Sequence, residues 1–158
     1  MDGTYDSFVL EVRLLGRLEA EARGTLLPAP AHPQGLTLLA WLALHPGEHS
    51  RGPVAALLWP GVPHANARTS LRSAAWALRR ALGPDERLVL SGRETIGLRC
   101  RTDLQVFERH LAAGEPGAAL TLCRGPLLAG FDEHAWVLAA RAAHAKRVAA
   151  ARALSTAR

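Results

Sequence analysis

The chain has 158 residues, of which 49% are hydrophobic and 21% charged, which is enough apolar material for one core or two small ones without metals or disulfides. Its cysteines, Cys100 and Cys123, stand far apart and fit no metal-ligand spacing, so we expect two buried, reduced thiols. The longest apolar stretch, 36–44, is about half the length of a membrane-crossing helix, and no signal peptide is evident. These features exclude a membrane protein and predict a soluble cytoplasmic one.

The net charge of +5 is concentrated in one part of the chain. Residues 49–101 contain nine arginines and three acidic residues, a local charge of +6 that leaves −1 for the rest. Within this part, 49–84 has no Asp or Glu. Because each arginine near a phosphate releases condensed counterions, such a segment favours binding to a polyanion.

The first predicted elements are a small sheet and a buried helix. Phe8 to Leu15 and Leu18 to Arg23 are β-favouring and partly alternating, which predicts two antiparallel strands. Three prolines then prevent helix until Gln34, and the apolar run that follows predicts a helix ending at His45-Pro46-Gly47.

Two more helices and a hairpin follow. Ser50 is a suitable N-cap for about two turns of helix ending at Pro60-Gly61. Residues 64–83 have helical periodicity, and at about 100° per residue the apolar and polar side chains separate onto opposite faces. The apolar face holds Ala67, Leu71, Ala75, Leu78 and Leu82, and the polar, cationic face holds Thr69, Arg72, Ser73, Trp76 and Arg80. Residues 87–90 and 95–99 then flank Ser91-Gly92-Arg93-Glu94, a suitable hairpin turn.

This order predicts an α+β, mainly α chain with a winged helix-turn-helix in residues 1–101. In that fold the small N-terminal β-sheet comes first and the β-hairpin is the wing. Residues 102–158 are predicted to be helical. A capping box at Thr102 and Gln105 precedes the first helix, a turn at 114–117 and a second helix to Leu122 follow, and a third helix starts near Asp132 or Glu133. Helix hairpins of this kind normally stack against further copies, so we expect a longer helical domain.

Several separated motifs resemble one family in the right order. LALHPG at 42–47, ALLWP at 56–60 and ARTSLRSAAWALRRALG at 67–83 resemble the DNA-binding domain of Streptomyces antibiotic regulatory protein (SARP) type activators. LCRGPLLAGFDEHAWVLAAR at 122–141 resembles the start of the bacterial transcriptional activator domain that follows it, and LLGRLE at 14–19 extends the match. The resemblance implies an OmpR-like winged helix that reads direct repeats, joined to a tetratricopeptide-like (TPR-like) domain for dimerisation or contact with the transcription machinery.

The chain also departs from that family. The family usually has Lys and Arg just before the first helix, where this chain has Gln34 and Leu36, and it often has Arg in place of Ala77, so some phosphate contacts are expected to be missing. Trp76 replaces a smaller polar residue. Either Trp76 contacts base edges and methyl groups, or this helix has been repurposed for a protein partner.

The candidate contacts divide into two groups. A helix in the major groove can offer Arg to guanine, Asn to adenine and an apolar group to thymine, so the base-contact candidates are Asn66, Thr69, Arg72, Ser73 and Trp76. Asn66 either contacts a base or satisfies the backbone at the helix start. The phosphate-contact candidates are Arg51, Arg68, Arg79, Arg80 and Arg93, joined by the backbone amides after Ser50.

Other chemistry has little support. His45 and His49 are separated by helix-breaking Pro46 and Gly47, which argues against a metal site, and Asp132-Glu133-His134 is expected to cap the following helix. No catalytic or cofactor motif is present, so we expect neither an enzyme nor a cofactor. The sequence predicts a transcription regulator that binds double-stranded DNA, as a homodimer on direct repeats, and recruits RNA polymerase. The alternative is a protein-interaction module whose winged helix no longer reads DNA.

Overall fold

The computed structural model describes residues 10–30 and 32–157 and has a mainly helical α+β fold. Its strands are β1 (Leu10–Arg13), β2 (Glu19–Ala22), β3 (Thr25–Leu26), β4 (Gly47–Ser50), β5 (Val89–Ser91), β6 (Thr95–Leu98) and β7 (Cys100–Thr102). Its α-helices are α1 (Pro33–Leu44), α2 (Arg51–Leu58), α3 (His64–Leu82), α4 (Asp103–Ala112), α5 (Pro116–Thr121) and α6 (Ala135–Thr156), and Gly83–Leu88 is 3-10 helical. The strands form two small sheets, in the orders β3-β2-β1-β7 and β4-β6-β5. Phe8 and Val9, at the start of the first predicted strand, lie outside the described residues.

The described residues group into two compact units. The first unit comprises 10–11, 20–30 and 32–101, and the second comprises 12–19 and 102–157. Residues 12–19, which the sequence analysis assigned to the N-terminal domain, group with the second unit because their backbone is bonded there. The Asp103 carboxylate accepts hydrogen bonds from the Leu14 and Leu15 amides at 2.7 and 3.1 Å, and the Leu128 amide donates to the Leu14 carbonyl at 2.8 Å.

In the first unit, α3 packs against α1 and α2 around a leucine-rich core. Helix α1 has seven of its twelve residues buried, as its apolar composition predicts, and the His32 side chain caps its start. A Cβ at Gly35 would lie 3.1 Å from the Ala77 Cβ, so this glycine allows α1 to approach α3 closely. All five residues of the predicted apolar face of α3 are buried, which confirms that face.

Strand β4 was not predicted from the sequence. It pairs antiparallel with β6, which places Glu48 opposite Gly97 and Ser50 opposite Thr95. Every residue of β4 is at least partly exposed, so this strand lacks the apolar alternation that would reveal it. The hairpin of β5 and β6 is confirmed, and its first strand is shorter than predicted because 83–88 is helical.

Helix α4 begins as the sequence predicts, whereas α6 begins at Ala135 rather than near Asp132 or Glu133. Thr102 and Gln105 form a complete capping box at the start of α4. Helix α5 starts at Pro116, inside the predicted turn, because proline suits the first helical position.

The interpretation of Asp132-Glu133-His134 as a helix cap was wrong. His134 occupies the N-cap of α6 without a capping side-chain hydrogen bond, and the Asp132 carboxylate instead accepts a bond from Arg141 Nη1 at 2.7 Å. Arg141 also donates to the carbonyls of Leu127 and Leu128, each at 2.9 Å. The acid therefore orients an arginine that holds this loop.

Helix α6 buries only Val137, His144 and Ala151, which lie seven residues apart. His144 packs edge-on against Phe107, with ring centroids 4.9 Å apart, and among the described residues its Nδ1 has no hydrogen-bond partner. Burial lowers the pKa of His144, and Arg147 lowers it further against the opposite effect of two nearby acids. The histidine is therefore neutral in the folded chain at pH 7.

Both cysteines are free, and they are only partly buried rather than buried as predicted. Partial burial raises the pKa of Cys100 to about 11 and also raises that of Cys123. Both side chains are therefore neutral thiols at pH 7. Of the helices within 10–30 and 32–157, none is long and apolar enough to cross a membrane.

Candidate nucleic-acid interface

The exposed face of α3 is polar and cationic. All five base-contact candidates, Asn66, Thr69, Arg72, Ser73 and Trp76, are exposed on this helix. The helix contains four arginines and no acidic residue. The structure thus presents the predicted side chains together on one solvent-facing surface, which we call the α3 face.

The side-chain amide of Asn66, in the first turn of α3, is available to bind a partner. The N-cap of this helix is Pro63, and no side chain caps it. In the part of the chain that the structure describes, the Asn66 side chain makes no hydrogen bond, so the alternative role of satisfying the helix start has no support. Thr69 donates its hydroxyl to the Ala65 carbonyl at 3.0 Å, which leaves its oxygen lone pairs and methyl group facing solvent.

Trp76 and Arg80 form a pair one turn apart near the end of the α3 face. The Trp76 side chain is 57% exposed, although it is large and apolar. The Arg80 guanidinium lies over its ring, 5.0 Å from the centroid, which is within the range of a cation–π interaction. The ring and the guanidinium together form a flat, positively charged surface, which we call the Trp76–Arg80 platform.

Arg51 fixes the position of the hairpin turn relative to α2. Its Nε donates to the Gly92 carbonyl at 2.9 Å and its Nη2 to the Ser91 hydroxyl at 2.7 Å. Its backbone amide donates to the Glu94 carbonyl at 3.0 Å. The Arg51 amide is therefore already bonded, and Pro53 has no N–H group. The start of α2 thus has fewer free backbone amides for an anion than expected from the sequence.

A cleft of about 310 Å³ lies between the start of α2, the middle of α3 and the hairpin turn. Four arginines and one acid are among its lining residues, which are Arg51, Gly52, Arg68, Leu71, Arg72, Gly92, Arg93 and Glu94. We call this feature the arginine cleft. Desolvation lowers the pKa of Arg51, and the positive charges of Arg79 and Arg72 lower it further, against the opposite effect of Glu94. The cleft is therefore a region of concentrated positive charge.

The structure separates the predicted phosphate contacts into two groups. Arg51, Arg68 and Arg93 line the arginine cleft, and Arg79 is close enough to act on Arg51 electrostatically. Arg80 lies instead against Trp76. Arg72, one of the five base-contact candidates, also lines the cleft, so its guanidinium is placed for an anion as well as for a base edge. The roles of all these residues stay predictions.

Four lining residues of the cleft, Gly52, Leu71, Gly92 and Glu94, were not among the predicted contacts. Gly52 leaves space for Arg68, since a Cβ there would lie 3.4 Å from the Arg68 Nη2. Glu94 supplies the one carboxylate among the lining residues. Only the folding of the hairpin turn against α2 brings Glu94 here, and the sequence carries no local signal for that.

One departure from the resembling family has a simple explanation. Ala77 is 6% exposed and faces Gly35 of α1, rather than lying on the α3 face. An arginine at this position would point into the helix packing, so its absence removes no contact from the α3 face. The expected loss of a phosphate contact at this position stays a prediction.

Comparisons with known proteins give a structural match. No protein-family model matches the sequence, and no curated protein is similar to it in sequence. A solved structure of Mycobacterium tuberculosis EmbR, in complex with a low-affinity phosphopeptide, matches with a TM-score of 0.74 and 23% sequence identity. The match covers 92% of this chain and 44% of the EmbR chain, so this chain spans less than half the length of that protein. The protein therefore has an EmbR-like fold.

Proposed function

We propose that this chain is the DNA-binding part of a transcription regulator and that its first unit is a winged helix-turn-helix. In this proposal α2 and α3 are the helix-turn-helix, α3 is the recognition helix and the β5–β6 hairpin is the wing. The observation that carries it is the α3 face, where four arginines occur on one helix without an acidic residue. Such a surface attracts a duplex through its phosphates.

The shape of α3 also suits a groove. Its 19 residues correspond to about 28 Å of helix, and the major groove is about 12 Å wide. Asn66, Thr69 and Trp76 would face base edges, while the arginine cleft, with Arg72 in its wall, would receive the backbone next to the hairpin turn. Phosphate contacts of this kind set the register of a protein on DNA, and base contacts set its sequence preference.

The motif resemblance to SARP-type activators and the EmbR-like fold support a regulator rather than an enzyme. We further propose that α4 to α6 are the start of a TPR-like domain. In this proposal the regulator binds direct repeats as a homodimer and contacts RNA polymerase. The phosphopeptide belongs to EmbR, and the proposal gives it no counterpart here.

A second candidate function is a protein-interaction module. The observation in its favour is the exposure of Trp76, because tryptophan and arginine are the residues most enriched at the centres of protein interfaces. In this alternative the Trp76–Arg80 platform meets a protein rather than a base pair.

Duplex binding measured by fluorescence anisotropy across a salt series separates the two functions. Five phosphate contacts, from Arg68, Arg72, Arg79, Arg80 and Arg93, predict a slope of log K against log salt of about −4.5 and an affinity loss of about 500-fold between 50 and 200 mM salt. The double variant Arg72→Ala, Arg80→Ala should reduce the slope to about −2.7 and the loss to about 40-fold.

The matched control is the double variant Arg87→Ala, Arg99→Ala, which removes the same charge from exposed positions outside the α3 face. This control should keep most of the wild-type slope. If the wild type binds DNA more weakly than about 100 μM at low salt, which is below ordinary non-specific affinity, the DNA proposal is overturned. Equal slopes for the two double variants would show that the attraction comes from total charge and not from α3.

A further inference from the structure

We infer that the arginine cleft is a binding site for a small anion that carries a pyrophosphate group. The inference deepens the proposed function, because the same cleft would receive the DNA backbone and the anion would compete with DNA for it. The site itself does not depend on DNA binding.

The arginine cleft carries more positive charge than one backbone phosphate can neutralise. Four arginines and Glu94 give its lining a formal charge of +3. A phosphodiester in the DNA backbone brings one negative charge, so one backbone phosphate would leave most of this charge uncompensated. A pyrophosphate group concentrates several negative charges on two linked phosphates and matches the cleft better.

Three arginine side chains of the cleft have hydrogen-bond donors available for a phosphate. Among the residues that the structure describes, the guanidinium groups of Arg68, Arg72 and Arg93 have no acidic partner and make no hydrogen bond. Each guanidinium can therefore offer a fork of parallel N–H groups to phosphate oxygens, which is the strongest geometry for this contact. Arg51 differs, because its bonds to Ser91 and Gly92 hold it in the wall of the cleft.

The arginine cleft is larger than a single phosphate group requires. Its volume of about 310 Å³ leaves room for a group larger than a single phosphate with five heavy atoms. Gly52 and Gly92 line it without side chains, so the backbone on two sides leaves the volume open. Residues of α2, α3 and the hairpin turn surround it, and the partial burial of Arg51 strengthens charge–charge contacts on that side.

The experiment is isothermal titration calorimetry of the full chain with inorganic pyrophosphate at constant ionic strength, with orthophosphate and sulfate as comparison anions. Pyrophosphate should bind at least about tenfold more tightly than either comparison anion. Arg68→Gln and Arg93→Gln should each weaken it by at least about tenfold, the loss expected for one charged hydrogen bond. Arg87→Gln removes the same charge outside the cleft and should leave the affinity unchanged. Neither Arg68 nor Arg93 holds another described residue, so both variants should fold, and circular dichroism checks this.

A parallel titration of pyrophosphate into the DNA complex distinguishes failure of this inference from failure of the proposed function. Release of DNA beyond that caused by chloride of equal ionic strength supports the inference. Pyrophosphate binding without any DNA binding also supports it, and would overturn the proposed function alone. The inference is overturned if pyrophosphate binds no better than sulfate, or if the cleft variants bind it as well as Arg87→Gln does, whatever the DNA result.

Discussion

Replacement of Asp103 by alanine should destabilise the second unit more than any change to an exposed ion pair. The Asp103 side chain is 13% exposed, and its two oxygens accept the Leu14 and Leu15 amides at 2.7 and 3.1 Å. Alanine leaves both amides without an acceptor, at about 1–3 kcal/mol each, and it removes an acid from the first turn of α4, worth about 0.3–1 kcal/mol. These contributions add to about 2–7 kcal/mol, and because single substitutions rarely cost more than about 5 kcal/mol, we expect the free energy of unfolding to fall by about 2–5 kcal/mol.

Urea unfolding followed by circular dichroism measures this loss, and amide hydrogen exchange at Leu14 and Leu15 localises it. Asp103→Asn keeps one carbonyl oxygen and should cost about half as much. Glu108→Ala is the matched control, since it removes an acid that pairs with Arg147 at a site where both side chains are nearly half exposed. Its cost should be about 0–1 kcal/mol.

A stabilising role for the Asp103 carboxylate is refuted if Asp103→Ala lowers the free energy of unfolding no more than Glu108→Ala does, and if the Leu14 and Leu15 amides keep their protection from exchange. That result would mean that the segment 12–19 is held by its other backbone bonds, such as that from the Arg124 amide to the Leu15 carbonyl, and not by this carboxylate.

Three further predictions concern stability, pH and thiol reactivity. Gly97→Ala places a Cβ 2.7 Å from the Gly47 carbonyl oxygen, so we expect thermal unfolding to show a loss of about 1–3 kcal/mol, and an unchanged stability would contradict this contact. Because burial lowers the pKa of His144 below 6.5, the unfolded chain binds a proton at this histidine more tightly than the folded chain does. The free energy of unfolding should therefore fall as the pH drops from 6.5 towards the lowered pKa. Urea unfolding at each pH measures this dependence, and His144→Gln should flatten it. With its pKa near 11, Cys100 should react with iodoacetamide at pH 7.5 about 100-fold more slowly than an unfolded-chain thiol, and equal rates would exclude its partial burial in solution.

The helices of the first unit and the α3 face could be predicted because their signals are local. The 3.6-residue period alone assigns Leu71 and Leu78 to the core and Arg72 and Trp76 to solvent. The same holds for the capping box at the start of α4, which needs only two residues three positions apart.

Features that depend on contacts distant in sequence could not be predicted. Strand β4 owes its conformation to pairing with β6, about fifty residues later, and not to its own polar sequence. The Asp103 carboxylate accepts hydrogen bonds from amides nearly ninety positions earlier in the chain, and no local pattern indicates this contact. The arginine cleft likewise requires the hairpin turn to fold against α2, so the sequence predicted its arginines one by one but not their grouping around one space.

The stacking of Arg80 on Trp76 affects how these side chains would bind. A free surface arginine loses about 1.5–2 kcal/mol of conformational entropy when a partner immobilises it. The contact between the Arg80 guanidinium and the Trp76 ring already restricts this side chain before a partner arrives. Part of that entropy is therefore lost during folding, and a phosphate or a protein carboxylate that meets Arg80 finds a partly preorganised cation.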